Sequence, residues 1–189
     1  MMNLDLENKF EYPILTKVHG ILDYASLKII KDELKSNATS IHSNLGGGAN
    51  GHLGLIMDPI EYVLLLQIPY TRPLHPTPLI IVPGTTQHES NRLRDDHKEA
   101  LRLFREMTAL EKCLLKLLSQ AIPAPYLKPF RNHNSNAIDA NIPTILTTLF
   151  QTYGIVPEEQ LLQEEASLRA KVFEITEPLI ILYNEVEDL

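Results

Sequence analysis

The seven histidines and the single cysteine are the side chains of this sequence best suited to hold a metal or attack an electrophile. Their spacing supports neither. His88-Glu89 lacks the second histidine four residues on that a helical zinc site uses. His97, nine residues further along the same predicted helix, faces the opposite side from His88. His19, His42, His52, His75 and His133 fall in segments read as loops, where spacing neither supports nor excludes ligation. Cys113 sits among Leu110, Leu114 and Leu117 and reads as a small core residue, with no base placed to activate it. The run Gly46-Gly47-Gly48-Ala49-Asn50-Gly51 spells the dinucleotide fingerprint, which works only when a strand feeds it and a helix N-terminus receives the pyrophosphate. Polar residues from Ser36 to Asn44 precede it, and Gln67 stands near where an acidic ribose ligand belongs, so a loop is expected. No Lys-Ser/Thr follows the glycines, and no Gly-x-Ser-x-Gly elbow occurs. The pairs Asp95/Asp96 and Glu158/Glu159 are consecutive and diverge on a helix, which makes them poor acid/base pairs. No catalytic residue, cofactor or metal ligand is assigned, and the chain is expected not to be an enzyme.

The charged residues form a different pattern. Arg92, Arg94, Lys98, Arg102 and Arg105 alternate with Asp95, Asp96, Glu99 and Glu106, and intrahelical pairs such as Asp95/Lys98 and Arg102/Glu106 would consume much of that charge. A nucleic-acid stripe is therefore the lesser reading. A helix exposing both signs suits contact between identical subunits, and Arg92, Asp95, Lys98 and Arg102 are the candidates on it. A second set, Leu179, Leu182, Tyr183 and Val186, recurs at helical spacing near the end of the chain.

These residues lie in 189 residues with a net charge of -7 and 44% hydrophobic content, enough for one domain or two small ones. The charge is localised: from Pro157 onward there are nine acids and two bases, while the preceding residues are balanced. One cysteine excludes an intramolecular disulfide and fits a reducing compartment. No apolar run approaches the ~20 residues of a membrane-spanning helix, and the acidic start from Met1 to Phe10 does not resemble a secretory signal. The expected location is cytoplasmic, with no membrane partner.

The elements expected to position these residues are mainly helical. Residues 1–22 read as an extended arm. Asp23 caps a helix over Tyr24–Ser36, with Leu27, Ile30 and Leu34 on one face. A loop spans Asn37–Gly54, and Asp58-Pro59 opens a short helix to about Leu66. Five prolines between Pro69 and Pro83 point to a polyproline-like segment, with Leu79–Val82 the one place for an edge strand. A long helix runs from about Gln87 to Met107, and the capping box Thr108-Ala109-Leu110-Glu111 allows it to restart or continue to Ala121. Residues 123–141 read as a connector between a helical domain, 23–122, and a partial second helical domain, 142–189. That second unit has helices over Ile142–Tyr153, Pro157–Phe173 and from Pro178 onward. The last helix carries no C-terminal stop signal, which fits either a frayed terminus or a cut through a longer reading frame.

The segments Leu45 to Leu55, Arg72-Pro73-Leu74-His75-Pro76, Asp96 to Glu106, and Leu149-Phe150-x-Thr152-Tyr153-Gly154 together resemble the Gag-like N-terminal regions of copia-type retrotransposon polyproteins. The Leu-Phe-x-x-Tyr-Gly segment and the later Pro-initiated helix ending Val186-Glu187-Asp188-Leu189 carry most of that resemblance. It implies a capsid-like, mainly helical structural protein that self-assembles around element RNA. It also implies a reading frame continuing toward a zinc knuckle, protease, integrase and reverse transcriptase, none of which the sequence contains. Nucleic-acid contact is then expected only through such a downstream region, and the chain reads as truncated. The competing expectation is an intracellular adaptor that binds a partner protein through its C-terminal amphipathic helix.

Overall fold

The computed structural model describes residues 6–43, 48–155, 161–162 and 165–166. It is mainly helical, and the described residues contain no strand beyond an isolated antiparallel bridge between Arg131 and Ile138. Helix α1, Tyr24–Thr39, begins where Asp23 accepts a hydrogen bond from the Ser26 backbone N–H at 2.8 Å. That bond and the Ser26 hydroxyl hold the Asp23 carboxyl below its ordinary range. The helix runs three residues past its expected end because Asn37 and Ala38 are buried and gain from continuing. Helix α2, Pro59–Leu66, is capped by Asp58, whose side chain accepts from Ile60 N–H at 2.8 Å, and it stops at Gln67 in the left-handed region. Helix α5, Ile142–Tyr153, is capped by Asn141.

The glycine run departs from expectation. Instead of a loop to Gly54, residues Gly48–Leu55 wind into a 3-10 helix. Burial explains the difference: Leu53, Leu55, Ile56 and Met57 all lie in the core, so the backbone must coil tightly to turn successive apolar side chains inward.

Helix α3, Gln87–Ala121, is continuous over 35 residues, or about 52 Å. Thr108 starts no new helix, because Met107, Leu110 and Glu111 are buried on the same side and favour one unbroken rod. Its second half carries Met107, Leu110, Leu114, Leu117 and Leu118 into the core, facing Leu27, Ile30 and Leu34 of α1. Each fully buried leucine contributes roughly 1.5–3 kcal/mol. Pro123 follows, and the expected connector holds a short helix α4, Ala124–Leu127, and a 3-10 turn, Lys128–Phe130.

Core packing crosses the boundary expected at 123–141. Leu127 is fully buried, α5 lies against α1, and Ile142, Ile145, Leu146 and Leu149 join the same core as α1 and α3. The N-terminal arm belongs to that core too, through Leu6, Phe10, Leu15 and Leu22. Polar groups hold it in place. Asn37, fully buried on α1, accepts from the Tyr12 N–H and donates to the Tyr12 carbonyl, both at 2.8 Å. Glu33 accepts from the Thr16 N–H at 2.7 Å and its hydroxyl at 2.5 Å. Farther along, Val18 N–H donates to the Ala121 carbonyl, and Leu22 N–H to the Tyr126 hydroxyl.

The proline segment forms a strap antiparallel to α3. Arg72 meets Glu111, and the His75 ring stands edge-on to Phe104 at 5.0 Å. Three residues of extended chain, at about 3.1 Å each, cover nearly the distance of seven helical residues at 1.5 Å, so strap and helix stay in register. Gly84, with φ of +96°, closes the turn back into α3, a conformation that costs glycine little. Leu79–Val82 forms no strand; Ile80 and Val82 project outward, 81% and 66% exposed.

Candidate functional site

The first half of α3 holds the charged candidates. Arg92, Asp95, Lys98 and Arg102 are all exposed, as are Arg94, Asp96, Glu99 and Arg105. The pairs anticipated from spacing form: Lys98 to Asp95 at 3.3 Å and Arg102 to Glu106 at 2.7 Å. Arg102 also grips Glu99 through two bonds of 2.8 Å, which raises its own pKa and holds the Glu99 carboxyl down. Arg102 therefore bridges two carboxylates on one helix face, and the surface around Lys98 and Arg102 is internally compensated. The other candidate set, Leu179, Leu182, Tyr183 and Val186, lies outside the described residues, as does most of the helix expected over Pro157–Phe173.

A surface that spacing did not single out is the outer side of α2. Ile60 and Leu64 are 73% and 71% exposed, and Val63, Leu65 and Ile68 lie open beside them. Ile60, Val63 and Leu64 stand at i, i+3 and i+4 and form one ridge. Tyr62 alone on this helix is buried. A signal was present: Val63-Leu64-Leu65-Leu66 is apolar all round an eight-residue helix, more than one inward face can absorb. Glu61, on the wheel between Leu64 and Leu65, is drawn back to Lys31 at 3.1 Å and Lys35 at 3.2 Å on α1. Burial would raise its carboxyl, but the hydrogen bonds and charges of these two lysines outweigh that and hold it low.

Behind α2 lies a cleft of about 450 Å³, between the 3-10 run, the strap, α3 and the start of α5. The Arg72 guanidinium and Glu111 carboxylate face each other there in a two-pronged pair, at 3.0 and 2.6 Å. Beside them the Tyr70 hydroxyl is buried without a hydrogen-bond partner among the described residues, and burial pushes its pKa up to about 12. Its ring packs against Gly54, where a Cβ would come within 2.2 Å of it, and edge-on to Tyr62 at 5.4 Å. Thr144, Thr147 and Thr148 line the opposite wall.

The histidines are scattered. Among the described residues no group of three or more His, Cys, Asp or Glu side chains is placed to hold a metal. His52, read as a loop residue, is 1% exposed inside the 3-10 helix, 3.7 Å from Glu106, with neither ring nitrogen hydrogen-bonded among the described residues. Burial lowers its pKa, and the nearby Glu106 offsets part of that shift. Cys113 is half-buried against the core, and burial pushes its thiol up, away from a nucleophilic thiolate. No helix among the described residues is long and apolar enough to cross a membrane. Comparison with protein-family models, with curated proteins and with solved structures returns no match for this chain.

Proposed function

We propose that the protein is a structural, self-assembling chain of the Gag capsid type found in copia-like retrotransposons, acting in the cytoplasm and without enzymatic activity. The observation that carries this reading is the apolar surface left open on a well-packed helical body: the α2 ridge, with Leu74, Ile80 and Val82 of the strap. Single exposed apolar residues are ordinary, but a contiguous ridge beside a buried core marks a contact between proteins. The charged half of α3 offers a second, separate surface. Two unlike surfaces on one chain let copies meet in more than one way, which closed dimers do not need and extended shells do. Lys98 and Arg102 are already matched by carboxylates of their own helix, which withdraws them from contact with nucleic-acid phosphates.

Sedimentation velocity and negative-stain microscopy on the purified chain, over rising protein and salt concentration, test the proposal. Growth of oligomers or particles is expected, with salt favouring apolar contacts. A chain that stays monomeric throughout, or that forms a stoichiometric complex with one cellular protein, would refute it.

A further inference from the structure

We infer that a line of basic side chains on the outer side of α3, Arg94, Arg105 and Lys112, is the docking surface for the acidic segment 172–189 of a second copy of this chain. This inference rests on the assembly reading and names both sides of one of its contacts.

Helical geometry makes the line. At about 100° per residue, Arg94, Arg105 and Lys112 fall within about 20° of one another, on a strip about 27 Å long. All three are exposed. The strip lies nearly opposite Leu110, Leu114 and Leu118, the side that α3 gives to the core. Every carboxylate of α3 stands about 80° or more round the helix from the three cations. Lys98 and Lys116 continue the line but are held by Asp95 and Glu7. Arg94, Arg105 and Lys112 have no carboxylate partner among the described residues.

Charge names the occupant. Residues 172–189 carry Glu174, Glu177, Glu185, Glu187 and Asp188 and no base, while the chain before Pro157 is balanced. The segment therefore has an excess of anions with no cation beside them in sequence, and the strip has cations that its own helix leaves unmatched. A phosphate strand fits the strip less well. It carries a charge every ~3.4 Å, so one laid along α3 would also meet Asp95, Glu99 and Glu106 on the flank. Spaced carboxylates can sit on the three cations alone. An acidic lipid surface is disfavoured too, because α3 exposes no large apolar side chain to enter it.

Position makes the partner a second copy. The segment continues from α5, which packs on α1 at the core side of α3, whereas the strip faces away from that core. Residues 174–188 can extend to about 50 Å, more than the strip needs. Donor segment and acceptor strip are different surfaces, so every copy offers both and the contact runs head to tail, as an extended assembly requires.

The test uses two variants of the full chain. One carries Arg94→Glu, Arg105→Glu and Lys112→Glu on the strip, and the other Glu174→Lys, Glu177→Lys and Glu185→Lys in the segment. In sedimentation velocity at low ionic strength, each variant alone should associate at least roughly tenfold more weakly than wild type, because like charges now meet. An equimolar mixture of the two should return to the wild-type level. The segment variant has a smaller net charge than wild type, so repulsion between whole chains cannot account for its loss. Salt should weaken this contact, since the Debye length shrinks from about 10 Å at 0.1 M to about 3 Å at 1 M, and that salt-sensitive part should be missing from both variants.

Variants that associate as wild type does overturn the contact and leave the assembly reading standing. Weakened variants whose mixture does not recover overturn the pairing of these two surfaces. A lowered melting temperature in dilute solution, regained by one chain carrying all six reversals, places the contact within a single copy and overturns it. A strip variant that loses binding to a single-stranded oligonucleotide but associates normally assigns the line to phosphates and overturns it as well. A wild-type chain that stays monomeric at every salt concentration up to about millimolar protein, where even weak specific contacts form, removes the assembly reading and this contact with it.

Discussion

Replacing Asn37 should release the N-terminal arm from the core. Its amide lies fully buried on α1 and makes two 2.8 Å hydrogen bonds to the backbone of Tyr12, as a neighbouring strand would. Asn37→Ala removes both bonds, each worth about 1 kcal/mol net, and leaves a small void. The expected loss is about 2–3 kcal/mol, which for a domain of this size lowers the melting temperature by about 5–10 °C. Asn37→Asp separates hydrogen bonding from packing. The carboxylate keeps the shape and still accepts from the Tyr12 N–H, but it cannot donate to the Tyr12 carbonyl, and it places a charge where no water reaches. At neutral pH it should therefore be worse than alanine. As pH falls the buried acid takes up a proton, regains a donor and recovers part of the loss. Thermal melts by circular dichroism give the stability, and hydrogen exchange at the Tyr12 amide reports the arm directly. An Asn37→Ala chain within about 0.5 kcal/mol of wild type with the Tyr12 amide still protected would refute the reasoning. So would an Asn37→Asp chain no less stable than the alanine variant.

Other perturbations probe the same geometry. Gly54→Ala should push the Tyr70 ring off the 3-10 run, since the new Cβ falls 2.2 Å from it, and cost roughly 1–3 kcal/mol; with no tryptophan present, the shift is readable in tyrosine fluorescence. Arg72→Ala leaves the nearly buried Glu111 unpaired and should detach the strap, losing about 1–2 kcal/mol after allowing for the half-exposed guanidinium. Arg72→Lys should rescue it only in part, because one ammonium cannot reproduce the two-pronged contact; full rescue, measured by proteolysis between Pro73 and Pro83, would sink that account. His52 should make the fold sensitive to acid. Its folded pKa is lowered, so its contribution is whole above the unfolded value of about 6.5 and is lost as pH falls through the lower folded value. His52→Gln, which cannot titrate, should flatten the stability profile below about pH 6.5, and an unchanged slope in denaturant titrations would show that other groups govern it.

Local signals in the sequence were sufficient for the starts of α1, α2, α3 and α5. Asp23 before an i, i+3, i+4 apolar pattern, Asp58-Pro59, and the compensated charges from Arg92 to Glu106 act within one or two turns of chain, and the elements stand where those signals put them. The ion pairs on α3 were equally legible, since helical spacing alone brings Lys98 to Asp95 and Arg102 to Glu106. What those signals could not carry is the choice between faces and partners. Glycine composition argues for a loop at 48–55, and the burial of Leu53, Leu55 and Ile56 overrides it.

Prolines at 123, 125 and 129 mark a break in helix, yet a break in helix is not a break in core. Leu127 and α5 fold back onto α1 because their apolar sides have nowhere drier to go. The Asp58-Pro59 start signal determined that α2 would be a helix, and the run Val63 to Leu66 carries more apolar surface than one inward face can absorb. Only the tertiary structure decided that Tyr62 would be its buried anchor and Ile60, Val63 and Leu64 its open ridge, because that choice depends on which neighbours, tens of residues away in the chain, arrive to cover it.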